Sequence, residues 1–129
     1  MSTIHKFSGN AKDFLWDGIK VRSYTEEFKG VTRQVFIGAD DGSNNFEMRY
    51  FRLDPGTHSN LERHPHEHGV LILHGHARLQ LNEQSFDVHP YDAVFISGND
   101  LHQFVVKGEE AFGFLCVIKA KEKEKLNRE

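Results

Sequence analysis

One cysteine, three prolines and one tryptophan in 129 residues set the first limits. A lone thiol, Cys116, cannot close an internal disulfide, which fits a reducing compartment. Basic residues are not in excess. Lys and Arg number 16 against 19 Asp and Glu, for a net charge of -3, so the electrostatic footprint of a nucleic-acid partner is missing. No run of about eighteen apolar residues offers a membrane helix. The opening stretch "MSTIHKFSGNAKDFLWDG" shows neither a basic leader ahead of an apolar run nor a small-residue cleavage site. A cytoplasmic protein without nucleic-acid or membrane partners is expected. Internal repeats are also absent, which removes solenoids and propellers.

What remains has the size of one domain with a real core. Short stretches rich in Val, Ile, Phe and Tyr alternate with Gly, Asp, Asn and Pro punctuation, and this pattern predicts strands over 19-24, 31-37, 45-53, 69-74, 76-81, 85-89, 93-97, 102-107 and 111-119. Many short strands at this spacing predict an all-β sandwich or closed barrel, since closure removes exposed edges. In "EAFGFLCVIKA", alternation places Phe112, Phe114, Cys116 and Ile118 on one face and Gly113, Leu115 and Val117 on the other. Both faces are apolar. The strand is therefore expected to be covered on both sides, by a lumen on one and by another sheet or a second subunit on the other, which predicts a homodimer. The tail "KAKEKEKLNRE" alternates in charge and reads as a short solvated helix or as disorder, with no function assigned.

The anomaly is histidine. Of nine, six (His58, His64, His66, His68, His74 and His76) fall between positions 58 and 76. Imidazole is the commonest protein ligand for first-row transition metals, and a site needs several donors converging from a rigid support. Glu62, His64 and His66 share a strand face by parity, but Pro65 breaks the ladder there. The apolar run "GVLILHG" then marks a buried strand starting near His68, which returns that side chain to the same place. A further donor, His102, opens the strand after "GNDL". His5, His58 and His89 are taken as surface or hydrogen-bonded residues, and His74 and His76, flanking Gly75, as lying outside the site.

The stretch from Asn45 to Ala120 resembles the cupin superfamily, whose first motif reads G-x5-H-x-H-x3-E-x6-G and whose second carries one more metal-binding histidine. Gly56 and Gly75 match the two ends. Glu62 stands at the first histidine position, His64 at the second and His68 at the glutamate, so the spacing holds while two identities are exchanged. "HPHEH" resembles the "HPWEH" stretch of some small single-domain members, and "NFEMRYFRLDPG" resembles their lead-in strand. In the second motif, "VHPYDAVFISGNDLHQF" keeps the aspartate as Asp92 and the histidine as His102, with Tyr91 at the usual glycine.

The resemblance implies a double-stranded β-helix, or jelly-roll barrel, as a single domain over 1-120 with core motifs at 45-120, followed by the charged tail 121-129. It implies one divalent transition metal per chain, from among Mn, Fe, Co, Ni, Cu and Zn, held by Glu62, His64, His68 and His102, with His66 or Glu67 as competitors for the place of Glu62. Pocket candidates are His66, Arg49, Tyr50, Phe114 and Cys116. Arg49 and Tyr50 lie on opposite faces of their strand, so that one of them either meets a substrate carboxylate or joins a surface salt bridge, and Cys116 either looks toward the metal or is an inert buried thiol. Four protein donors leave one or two coordination positions free for a small oxygen-rich substrate. The expected activity is of the dioxygenase or isomerase kind, and the alternative is a non-catalytic ligand-binding or sensor module with a structural metal.

Overall fold

The computed structural model describes residues 2-24 and 29-120. The tail assigned above to 121-129 lies outside the described residues. Among the described residues, nine strands run in the order β1 (Arg22–Ser23), β2 (Val31–Ile37), β3 (Phe46–Leu53), β4 (His68–His74), β5 (His76–Leu81), β6 (Gln84–Val88), β7 (Ala93–Ile96), β8 (His102–Lys107) and β9 (Phe112–Lys119), with one 3-10 turn at Ala39–Asp41. Among the described residues no helix is long and apolar enough to cross a membrane.

The strands form a six-stranded sheet, β1-β2-β3-β9-β4-β7, and a three-stranded sheet, β6-β5-β8. All pairs are antiparallel. The chain changes sheet at Gly75, whose φ of 80° is open to glycine at little cost, and a side chain there would run into the Ala111–Phe112 backbone. Between the sheets lies one core, built from the inward-facing residues of both: Leu53, Val70, Ile72, Leu79, Ile96, Phe104, Phe112 and Phe114 among them. Alternation on β9 falls as expected, with Phe112, Phe114, Cys116 and Ile118 all buried.

The outer face differs in part from expectation. Its cover over β3 comes from the same chain: Phe14 stacks on Tyr50 at 5.6 Å and Trp16 packs on Phe36 at 4.2 Å, while the Gln34 side chain donates to the Phe14 carbonyl at 2.8 Å. Gly113 carries no side chain because the His74 imidazole occupies that space. β1 is also much shorter than the predicted 19-24, because only Arg22 and Ser23 pair with β2.

A last structural feature matters for the site. The segment between β3 and β4 lies along β8, with bridges His58↔Val105 and Glu62↔His102. Backbone bonds from Ser59 to Phe104 (2.9 Å) and from Val106 to Thr57 (3.0 Å) fasten it there. A loop that would otherwise be mobile thus acquires the rigidity of an extra strand.

Candidate metal centre and its cavity

Three separate pieces of backbone deliver the histidines. His68 is the first residue of β4, opposite Ile96 of β7, and His102 is the first residue of β8, opposite Leu81 of β5. His64 sits on the segment between them. That segment is pinned on one side by reciprocal backbone bonds of Glu62 with His102, at 3.1 and 3.0 Å, and on the other by Asn99 N–H donating to the His64 carbonyl at 2.7 Å. Pro65 ends the pairing beyond this point, since its nitrogen cannot donate. Its carbonyl lies against Gly98, leaving no room for a side chain at that position.

Among the described residues, His64, His68 and His102 form the group of three potential ligands whose donor atoms all lie within 4.8 Å of one another. His68 Nε2 stands 3.0 Å from His64 Nδ1. Two imidazole nitrogens held at about 2.1 Å from one ion at a right angle are separated by ~3.0 Å, so the spacing suits a shared first-row metal. His102 is oriented by its Nδ1, which meets the Asp100 carbonyl at 2.9 Å and so carries the ring proton, leaving Nε2 as the electron-pair donor. Burial first, then the neighbouring His102, His64 and His66 and the charge of Arg49, push the His68 pKa down to about 3. His68 is therefore neutral, and able to donate its electron pair, at any physiological pH.

Glu62 stands one step behind this group. Its Oε1 lies 3.3 Å from His64 Nε2 and accepts the Tyr24 hydroxyl at 3.3 Å. A carboxylate that accepts the outer N–H of a ligating imidazole fixes the ring's tautomer and raises its basicity. His66 stacks on His64 with ring centroids 4.4 Å apart and planes 4° from parallel, beside the donor group and not within it.

The histidines open onto a cavity of about 220 Å3 whose walls include Arg49, Phe51, Phe104, Phe114 and Cys116. Cys116 is buried on β9, directly across from Val70 and Arg49. Its sulfur lies 3.2 Å from His68 Nδ1 and accepts from the Arg49 guanidinium at 3.3 Å. With Nε2 given to a metal, the ring proton of His68 would reside on Nδ1 and point at the sulfur. Two N–H donors then converge on one thiol, which favours the thiolate. Burial acts the other way, and the net effect without a metal is a raised Cys116 pKa that Arg49 only partly offsets. Arg49 itself is held by Glu47, 3.7 Å away, and by the face of Phe51, 5.0 Å from the ring centroid.

Of the residues named from the sequence, Arg49, His66, Phe114 and Cys116 line the cavity together with Glu62 and the three histidines. Tyr50 does not. It faces the opposite side of β3, where its hydroxyl meets His74 Nε2 at 2.6 Å, because strand parity sends Arg49 and Phe51 inward and the residue between them outward. The cavity therefore presents Arg49 and not Tyr50. The lining residues that escaped the sequence reading include two with polar groups, Tyr24 and Arg33. Neither belongs to a motif, and only the register of β2 against β3 brings Arg33 opposite Phe51.

Comparison with known proteins agrees with this architecture. The family model of the Cupin domain (Cupin_2) matches residues 49–118. Over 111 residues the chain is 42% identical to a protein of Rhodospirillum rubrum named 1-methylthio-D-xylulose 5-phosphate methylsulfurylase, covering 83% of this chain and 70% of that one. A crystal structure of a cupin-2 domain from the same organism superposes with a TM-score of 0.78 at 42% identity, over 87% of this chain and 76% of the other. A cupin 2 conserved barrel domain protein from Rhodopseudomonas palustris gives a TM-score of 0.79 at 36% identity, over 94% and 83%. With its motif spacing, jelly-roll sheets and clustered histidines, the chain belongs to the cupin superfamily, as a single-domain barrel of the cupin 2 type.

Proposed function

We propose that this protein is a metal-dependent enzyme that removes a sulfur substituent from a small, oxygen-rich sugar derivative, with Cys116 as nucleophile. One observation carries the reading: a buried thiol within hydrogen-bond distance of both Arg49 and His68, on the wall of the cavity onto which three imidazoles open. The name of the Rhodospirillum relative supports it, since it specifies a methylthio group on a phosphorylated ketose. Dioxygenase chemistry needs no thiol at this place, and the sulfur reading accounts for one.

A divalent metal held by His64, His68 and His102 would supply Lewis acidity toward a chelating carbonyl oxygen. The chain's own groups do the rest. Arg49 and the Nδ1 proton of His68 stabilise the Cys116 thiolate. In a 1-methylthio-2-ketose the sulfur sits on the carbon next to the carbonyl. Thiolate attack on that sulfur forms an S–S bond and breaks the C–S bond, leaving the electron pair on a carbon conjugated with the carbonyl. The proton lost by Cys116 is balanced by the one that carbon gains. Cys116 ends as a mixed disulfide with the methylthio group, and a low-molecular-weight thiol, serving as the reductant, releases it. Phe51, Phe104 and Phe114 keep the cavity wall apolar, which limits competing hydrolysis.

The test is a single-turnover reaction of the metal-loaded protein with 1-methylthio-D-xylulose 5-phosphate, without added thiol. The expected result is one methylthio adduct on Cys116 by peptide mass analysis, together with loss of the substrate thioether. Tight binding of the compound with no adduct and no cleavage would instead favour a non-catalytic ligand-binding module.

A further inference from the structure

We infer that Arg33 is the anchor for the phosphate of a small phosphorylated sugar, which sets the substrate class of the cavity; this rests on the catalytic reading above and extends it to a residue outside every motif. Arg33 lies in the middle of β2, in register with Phe51, and lines the same cavity as the histidines. Its Nε is shut off from solvent and has no hydrogen-bond partner among the described residues. The ion pairs of the described residues engage Arg49, Arg52 and Arg78, but not Arg33.

A guanidinium without a counter-charge is costly at a cavity wall, and here the neighbourhood adds to the cost. Arg22 of β1 stands directly opposite Arg33 in the register, and like charges in that relation repel. The cavity's second arginine, Arg49, is already committed to Cys116, Glu47 and Phe51. The one carboxylate of the lining, Glu62, is taken by Tyr24 and His64. What would offset these positive charges is an anion supplied by the ligand. Arginine's planar fork matches phosphate with two parallel bonds, and the Asn60 amide in the same lining offers a further donor. A substrate with oxygen donors at one end for the metal and a phosphate at the other for Arg33 would satisfy both groups at once.

Calorimetric titration of D-xylulose 5-phosphate and D-xylulose into the metal-loaded protein tests this without requiring turnover. Wild type is expected to bind the phosphate ester about tenfold or more tightly than the free sugar, Arg33→Gln to lose that preference, and Arg33→Lys to keep part of it. Inorganic phosphate should compete with the ester in wild type, a measurement that stands even if Arg33→Gln does not fold. No preference in wild type, failure of inorganic phosphate to compete, or a preference that survives in Arg33→Gln would overturn the inference. Arg33-dependent binding without C–S cleavage refutes the enzymatic reading and leaves the anchor standing. Cleavage with no dependence on Arg33 does the reverse.

Discussion

His68 Nδ1 and Cys116 Sγ lie 3.2 Å apart, on adjacent strands β4 and β9. One imidazole thereby joins the two halves of the candidate site, with Nε2 in the three-histidine group and Nδ1 against the thiol. Metal loading, which places the ring proton on the thiol side, should raise the thiolate fraction of Cys116. Titration of thiolate absorbance with and without metal is expected to show a lower Cys116 pKa in the loaded protein, and an unchanged one would disconnect the two.

The same geometry predicts how a variant at Cys116 behaves. Cys116→Ser should bind metal as wild type does, because the sulfur is not in the three-histidine group, yet cleave the thioether more slowly by about three orders of magnitude or more. A variant that kept near-normal rates would assign the chemistry elsewhere.

His74 gives a prediction about stability. Its ring is wedged over Gly113 and bonded to the Tyr50 hydroxyl at 2.6 Å and the Ala111 carbonyl at 2.9 Å. Gly113→Ala would place a methyl group where the imidazole lies, with a cost of about 1–3 kcal/mol. Thermal denaturation should show a Tm lowered by several degrees, and a Tm equal to wild type would mean that the ring is not held there.

Burial, the leading influence, holds the His74 pKa below its ordinary 6.5, and it holds His68 lower still, at about 3. For both, the unfolded chain takes up a proton more readily than the folded one as pH falls below 6.5, so stability is lost on acidification through that range. In chelator, Tm should therefore fall between pH 7 and pH 5, and His74→Gln should flatten part of that slope. A slope identical in the variant would assign the pH dependence to other groups.

Tyr91 occupies the position of the family's usual glycine and adopts φ 75°, the left-handed region, while its side chain is 79% exposed. Pro90 before it and the Asp92 carboxylate, which accepts the His89 N–H at 2.8 Å, hold the turn in shape. Tyr91→Gly relieves the strained conformation and forfeits no buried contact, so a gain of up to about 1 kcal/mol is expected in denaturant melts.

Much of this architecture was legible because strand periodicity and histidine spacing are local signals. His64 and His68 stood out as part of one tract, and His102 through its place at the start of an apolar strand. The all-β class followed from alternation on strands such as β9, and the jelly-roll from the resemblance of the two motifs. What could not be read depends on contacts between distant segments. The position of Glu62 is set by Tyr24, 38 residues away, whose hydroxyl holds the carboxylate on the far side of His64. Tyr50 was placed among the pocket candidates because nothing in its strand announces that Phe14 and Trp16 will cover the outer face. Arg33 is an ordinary strand residue until register sets it beside the cavity.

The proposed mononuclear metal site is built from His64, His68 and His102. Its most direct test is metal content by elemental analysis of protein purified without a histidine tag, comparing wild type with Glu62→Ala, His66→Ala and His102→Ala. About one equivalent of a single metal is expected in wild type, kept in His66→Ala, lost in His102→Ala and bound roughly 10–100-fold more weakly in Glu62→Ala. Mixed, substoichiometric metal that is indifferent to His102→Ala would contradict it.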